Sequence, residues 1–264
     1  MNISEMTSKM LSLEGKVALI TGGASGIGFG TARRLAQLGA SIAILDINDD
    51  NGGTAVREIE KLGGKAIYIH SNVSKAEECK IAVEETVKVY GRIDILFNNA
   101  GIAIRKNAVD LEPDEWDLAL NVSLKGQFLM TKYVVPYMRK AGGGSIINTG
   151  SGWSLKGGAD AISYCAMKGG TLNMTRAMAI DFGKYNIRVN TVCPGDIDTP
   201  MLRSECEQLG GTYDEEYIKS CISGRPIQRI GTVDDVANVV LFFASDMSTW
   251  ITGAHLVVDG GGIA

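Results

Sequence analysis

Histidine and cysteine are scarce in this 264-residue chain, and their placement excludes several chemistries. Two histidines, His70 and His255, stand far apart, and the five cysteines (Cys79, Cys165, Cys193, Cys206 and Cys221) form no C-x-x-C pair. An odd, scattered set supports neither a disulfide framework nor a zinc site, so no metal is expected. Positive charge is not in surplus either, because 26 basic against 30 acidic side chains leave a formal charge of −4. Nucleic-acid binding needs clustered basic residues to neutralise phosphates, and no such partner is expected. Long apolar stretches are also missing. The longest, such as residues 239–244, fall far short of the ~18 residues of a membrane span. Residues 1–16 lack the apolar segment of a secretory signal, so no membrane partner is expected and the cytoplasm is the expected address.

Glycine is what the chain has in excess. Its 33 glycines cluster in turns and follow no Gly-X-Y period, within a composition of 45% hydrophobic and 21% charged residues that suits an ordinary globule. Short β-branched runs alternate with longer helical patterns. Strands are predicted at residues 16–21, 41–46, 65–70, 93–98, 145–149, 187–193 and 254–258, and helices at 27–38, 51–62, 75–90, 114–140, 161–184 and 233–244. Nearly continuous apolar strands separated by helices indicate an α/β fold, one doubly wound Rossmann domain whose parallel sheet of about seven strands carries helices on both faces. The domain is expected to span residues 13–264, after a loose tail at 1–12. A lid is expected at about 196–229, because ligands bind beyond the carboxyl ends of such strands.

The first strand runs into Thr21, Gly22, Gly23, Ala24, Ser25, Gly26, Ile27 and Gly28 and then directly into a helix. A pyrophosphate on a helix N-terminus needs such glycines, for a tight turn and for close backbone approach. Asp46 ends the second strand 18 residues after Gly28. A carboxylate there binds both ribose hydroxyls of an adenosine and repels a 2′-phosphate, which predicts NAD rather than NADP. Arg33 and Arg34, on the helix that follows the turn, read as solvated helix charges. Further along, Tyr164 and Lys168 stand four residues apart, on one face of a helix. A phenol ionises near pH 10, and a cation within ~4–6 Å lowers that by roughly 1–3 pH units, which makes Tyr164 a candidate general base.

Ser151 lies 13 residues before Tyr164, Asn98-Asn99-Ala100-Gly101 closes the fourth strand, and Asn121 falls in the next helix. Together with Thr21 to Gly28 and the run from Pro194 to Thr199, this set resembles the short-chain dehydrogenase/reductase family along nearly the whole chain. The resemblance implies a tetrad in which Tyr164 exchanges the substrate hydroxyl proton and Ser151 hydrogen-bonds the substrate oxygen. Lys168 would hold the nicotinamide ribose and lower the phenol pKa, and Asn121 would hold a water of the proton relay. For the NAD cofactor the resemblance implies contacts from Gly22, Ser25, Gly26, Ile27, Gly28, Asp46 and Ile47. It adds Asn72 and Val73 after the third strand, then Asn98, Ala100, Gly101, Pro194 and Gly195, with Ile197 and Thr199 on the carboxamide. The family often has Asp-Val where this chain has Asn72-Val73, and the Asn72 side-chain oxygen is expected to accept from the adenine amino group. The resemblance also implies a homo-oligomer, a tetramer.

Retention of Ser151, Tyr164 and Lys168 together favours an enzyme over a silent dinucleotide sensor. An epimerase or dehydratase of the family's extended branch would carry a different glycine pattern and a longer C-terminal domain. Near the reacting carbon, Ile102, Trp153, Leu155, Met201 and Leu202 are mostly apolar, which suits a cyclic or bulky secondary alcohol such as a hydroxysteroid or alicyclic alcohol. Arg105, Lys156 and Arg203 are candidates for binding a carboxylate, although long basic side chains on loops usually face water. A 3-oxoacyl thioester or a sugar or polyol stays the alternative small-molecule substrate.

Overall fold

The computed structural model describes residues 3–264. Seven strands, β1 (Val17–Thr21), β2 (Ser41–Asp46), β3 (Lys65–His70), β4 (Ile95–Asn98), β5 (Gly144–Thr149), β6 (Ile187–Pro194) and β7 (His255–Val258), pair in parallel in the order β3-β2-β1-β4-β5-β6-β7. Strand period decides which layer each side chain enters. Ala18 and Ile20 of β1, Ile42 and Ile44 of β2, and Ile95 and Phe97 of β4 join one buried cluster. Their neighbours Leu19, Ala43, Leu45 and Leu96 join the other.

The first cluster lies under α2 (Gly26–Gln37), α3 (Asp49–Lys61) and α10 (Val233–Ala244). The second lies under α4 (Ala76–Tyr90), α6 (Gly126–Ala141) and α7 (Ile162–Phe182). A sheet covered on both faces follows from central strands that are apolar over most of their length. Chain order reverses between β1 and β4, which opens a crevice at the carboxyl ends of the strands.

Three segments differ from the sequence reading. Residues 3–11, expected as a tail, form helix α1 (Ile3–Leu11), while residues 1 and 2 of that tail lie outside the described residues. The helix expected over 114–140 is two helices, α5 (Pro113–Leu120) and α6, joined by a π turn at Asn121–Lys125. One extra residue in a single turn barely disturbs the apolar period, so the break is silent in sequence. The segment read as a lid contains α8 (Pro200–Gln208) and α9 (Glu215–Ile222). Its two ends are tied by Asp198 N to Gly231 O at 2.9 Å and Gly231 N to Asp196 O at 3.0 Å. Among the described residues no helix is long and apolar enough to cross a membrane.

Candidate active site

A cavity of about 600 Å³ follows the carboxyl ends of the strands from Asp46 to the lid. At one end is the glycine turn. Gly22 has φ +60°, and a Cβ there would lie 2.9 Å from Ala100 Cα, so backbone flexibility and close approach both require glycine. Ser25, Gly26 and Ile27 line the cavity at the amino end of α2. Ser25 is the N-cap without a side-chain cap bond, and the first turn carries no acidic residue, which leaves amide donors and the helix dipole for an anion. Gly28 does not line the cavity. A Cβ on it would collide with the Gly22 carbonyl oxygen and Asn99 Nδ2, so its part is to let the turn fold back on itself.

Asp46 also lines the cavity. Its Oδ2 accepts from Ala24 N at 3.1 Å, and its Oδ1 accepts from Ile47 N at 2.8 Å and Asn48 N at 3.1 Å. Three amides thus fix one carboxylate at this end of the cavity. Arg33 and Arg34 both pair with Asp234, at 2.9 and 3.6 Å, so they are ion-paired rather than simply solvated. Ile47, Asn72, Val73, Ala100, Gly101, Pro194, Gly195, Ile197 and Thr199 all contribute to the cavity wall. Thr199 doubles as the N-cap of α8, where its Oγ1 accepts from Leu202 N.

Two expectations at this end need correction. Asn72 Oδ1 already accepts from Ser74 N at 3.0 Å and Ser74 Oγ at 2.7 Å, which spends both lone pairs, so an adenine amino group would have to displace one of them. Asn98 is buried away from the cavity, donating to Asn148 Oδ1 at 2.9 Å and reaching Thr131 and Gln127 of α6. Asn99 takes the cavity position instead and ties β4 to the glycine turn through Thr21 O and Gly22 O.

At the other end the cavity gathers Ser151, Tyr164 and Lys168. Ser151 follows β5 in extended conformation and caps a 3-10 turn at Gly152–Ser154, its Oγ accepting from Trp153 N at 3.2 Å. Tyr164 stands in the first turn of α7, edge-on to Trp153 with ring centroids 5.7 Å apart, and shares the cavity wall with Ser151. Lys168, one turn on, is buried with Nζ 5.5 Å from the Tyr164 ring centre and donating to Thr149 O at 2.8 Å.

The expected lowering of the phenol pKa is not what the chain's own charges produce. Burial pushes Tyr164 up, the Glu205 and Asp196 carboxylates push it further, and the Ser151 hydroxyl opposes them only in part. Burial likewise brings the Lys168 ammonium down to about 8. The proton therefore rests on the Tyr164 oxygen. Asn121 does not line the cavity. It opens the π turn, where Gly126 N donates to Asn121 O, and this turn packs against α7.

Of the apolar residues expected around the reacting carbon, Ile102, Trp153, Met201 and Leu202 line the cavity. Leu155 is exposed instead. Arg105 does not face water, because it is withdrawn between the loop after β4 and the lid and bonded to Glu205. Arg203 pairs with Asp198 on the surface. Sequence reasoning missed Glu205, Asp196 and Arg225, which add charge to the substrate end, where Arg225 bridges Asp196 and the Asp259 carbonyl. Burial raises the pKa of both Asp196 and Glu205, with neighbouring cations pulling the other way.

Comparison with known proteins agrees with this geometry. A family model described as enoyl-(acyl carrier protein) reductase matches residues 22–262. The 3-oxoacyl-[acyl-carrier-protein] reductase FabG of Thermotoga maritima is 43% identical over 251 residues, 95% of this chain and 99% of that protein. Cyclohexanol dehydrogenase of an Acinetobacter species is 40% identical over 246 residues, 93% of this chain and 94% of that one. The crystal structure of levodione reductase superposes with a TM-score of 0.91 at 32% identity, covering 94% of this chain and 97% of the other. Likeness of this extent places the chain in the short-chain dehydrogenase/reductase family, oxidoreductases that use a nicotinamide dinucleotide.

Proposed function

We propose that this protein interconverts a secondary alcohol and its ketone with NAD(H), and that the alcohol is cyclic or otherwise bulky and apolar. The observation that carries the reading is the placement of Tyr164 and Ser151 with Ile102, Trp153, Met201 and Leu202 in one cavity. The cavity's other end fits a dinucleotide, because a Cβ at Gly22 would close the turn and Asp46 is held ready by three amides. A dinucleotide held there would supply the hydride acceptor, and in its oxidised form a positive charge.

The chain's own residues handle the proton and the geometry. In the oxidising direction Tyr164 Oη takes the substrate hydroxyl proton, and in the reducing direction it returns that proton to the carbonyl oxygen. Ser151 donates a hydrogen bond to the same oxygen and stabilises the charge that grows on it. Lys168 would hold the nicotinamide ribose, its Nζ fixed against Thr149 O. Asn121, in the π turn that packs on the helix carrying Lys168, would hold a water of the proton relay. All these groups sit on a strand end or helix turn of a rigid sheet, and fixation of this kind supplies much of the acceleration.

Likeness to the oxoacyl reductase favours a second reading, reduction of a 3-oxoacyl thioester. The two are separated by following reduced nicotinamide absorbance with NAD and a panel of cyclic secondary alcohols, and with NADH and a 3-oxoacyl thioester. The proposed reading expects the alcohols to be turned over at least about 10-fold more efficiently. Thioester turnover with no alcohol oxidation would instead establish the second.

A further inference from the structure

One charged group facing the substrate has no part in the proton transfer described above. Glu205 of α8 lines the cavity, and its Oε2 accepts from Arg105 Nη1 at 2.9 Å, the two side chains being only 13% and 11% exposed. Arg105 is fixed from behind. Its Nε donates to Asp160 O at 3.2 Å and its Nη2 to Ala159 O at 3.0 Å, and its guanidinium covers the Trp153 ring 4.7 Å from the centroid. Trp153 in turn abuts Tyr164. Gln208, one turn beyond Glu205, ties α8 to the same loop by accepting from Arg105 N at 2.9 Å and donating to Ala103 O at 3.1 Å. Lid helix and loop are thereby joined, and the Glu205 carboxylate is held in the wall within electrostatic reach of the Tyr164 hydroxyl.

Arg105 cancels most of the charge of Glu205 but not its capacity to accept hydrogen bonds. A carboxylate offers about four acceptor sites. Among the described residues one is used, by Arg105 on Oε2, and no protein group donates to Oε1. Water can serve the free oxygen until a ring occupies the cavity and displaces it. The neighbouring Ile102, Met201 and Leu202 side chains bring no donor. A hydrocarbon ring would thus leave a withdrawn carboxylate short of a partner, and that is costly.

We propose that Glu205 determines specificity by accepting a hydrogen bond from a second hydroxyl on the ring, so that the substrate class is a cyclic diol or its hydroxyketone. This inference rests on the alcohol–ketone reading of the same cavity. An ammonium in place of the second hydroxyl gains little, because Arg105 already neutralises Glu205. A carboxylate substituent carries no proton to donate to Glu205.

The test compares kcat/KM for cyclohexanol, cyclohexane-1,4-diol, 4-aminocyclohexanol and 4-hydroxycyclohexanecarboxylate with NAD, in the wild type and in Glu205→Gln and Glu205→Leu. In the wild type the diol is expected to exceed cyclohexanol by roughly 10- to 100-fold, with the carboxylate below the diol. In Glu205→Leu the diol-to-cyclohexanol ratio should fall to near one, and Glu205→Gln should give an intermediate ratio. Because each ratio is internal to one variant, partial loss of folded protein does not distort it, and the wild-type ratio stands even if Glu205→Leu does not fold. A wild-type ratio near one, a ratio unchanged in Glu205→Leu, or preference for the amino alcohol over the diol overturns the inference while the alcohol reading survives. Turnover of none of the four defeats that reading itself and the inference with it.

Discussion

Replacing Tyr164 by Phe is expected to lower kcat by about 100-fold or more while dinucleotide affinity stays within a few-fold, as loss of a general acid/base requires. The substitution removes one atom and keeps the ring, so the edge-on contact with Trp153 and the packing of the first turn of α7 persist. What disappears is the oxygen that carries the proton. Burial and the Glu205 and Asp196 carboxylates hold that proton firmly on Tyr164 in the free protein, the state needed to protonate a carbonyl. Oxidation needs the opposite state. Its rate in the wild type should therefore rise with pH through the neutral and mildly alkaline range, and the rise should vanish in Tyr164→Phe. Steady-state rates across pH, together with dinucleotide titration, check both halves; undiminished turnover in the variant would remove Tyr164 from the chemistry.

Asp46→Ala is expected to cut the preference for NAD over NADP from about 100-fold or more to less than about 10-fold, because like-charge repulsion of a 2′-phosphate is worth several kcal/mol. Ala24, Ile47 and Asn48 amides fix this carboxylate, so it cannot swing aside to admit the phosphate. The nearest basic candidates on α2, Arg33 and Arg34, are held by Asp234 and do not compensate it. The ratio of kcat/KM for the two dinucleotides reads the effect directly. A variant as selective for NAD as the parent would assign the discrimination elsewhere.

The strands were legible in the sequence because they are short, mainly apolar runs set between helical patterns, and β2 and β3 coincide with the expected residues 41–46 and 65–70. The same period-two logic, carried one step further, would have placed Asn98. Leu96 faces the cluster under α6, and Asn98, two residues on, shares that face, which leaves Asn99 for the cavity. The lid helices also left local marks. Thr199-Pro200 is an N-cap followed by proline at the first helical position, and Asp214 caps α9 by accepting from Glu216 N and Tyr217 N. The segment's mixture of charges and aromatics shows no clear apolar face around these marks.

Glu205 was not legible at all. An acidic residue in a surface helix is ordinarily solvated, and only the tertiary approach of Arg105, a hundred residues earlier in the chain, withdraws it from water. The electrostatics of Tyr164 were hidden for the same reason. Its four-residue spacing from Lys168 is written in sequence, but Glu205 and Asp196 reach it from segments that are distant along the chain. Spacing on one helix could suggest a proton carrier, whereas the direction in which its affinity for the proton moves depends on the assembled cavity.

A secondary cyclic alcohol deuterated at its carbinol carbon, oxidised with unlabelled NAD, tests the hydride transfer most directly. Mass spectrometry of the reduced dinucleotide should find one deuterium per turnover, with a slower rate than for the unlabelled alcohol whenever transfer limits turnover. Reduced dinucleotide without label, or label released to solvent, would contradict direct passage from the substrate carbon to the nicotinamide.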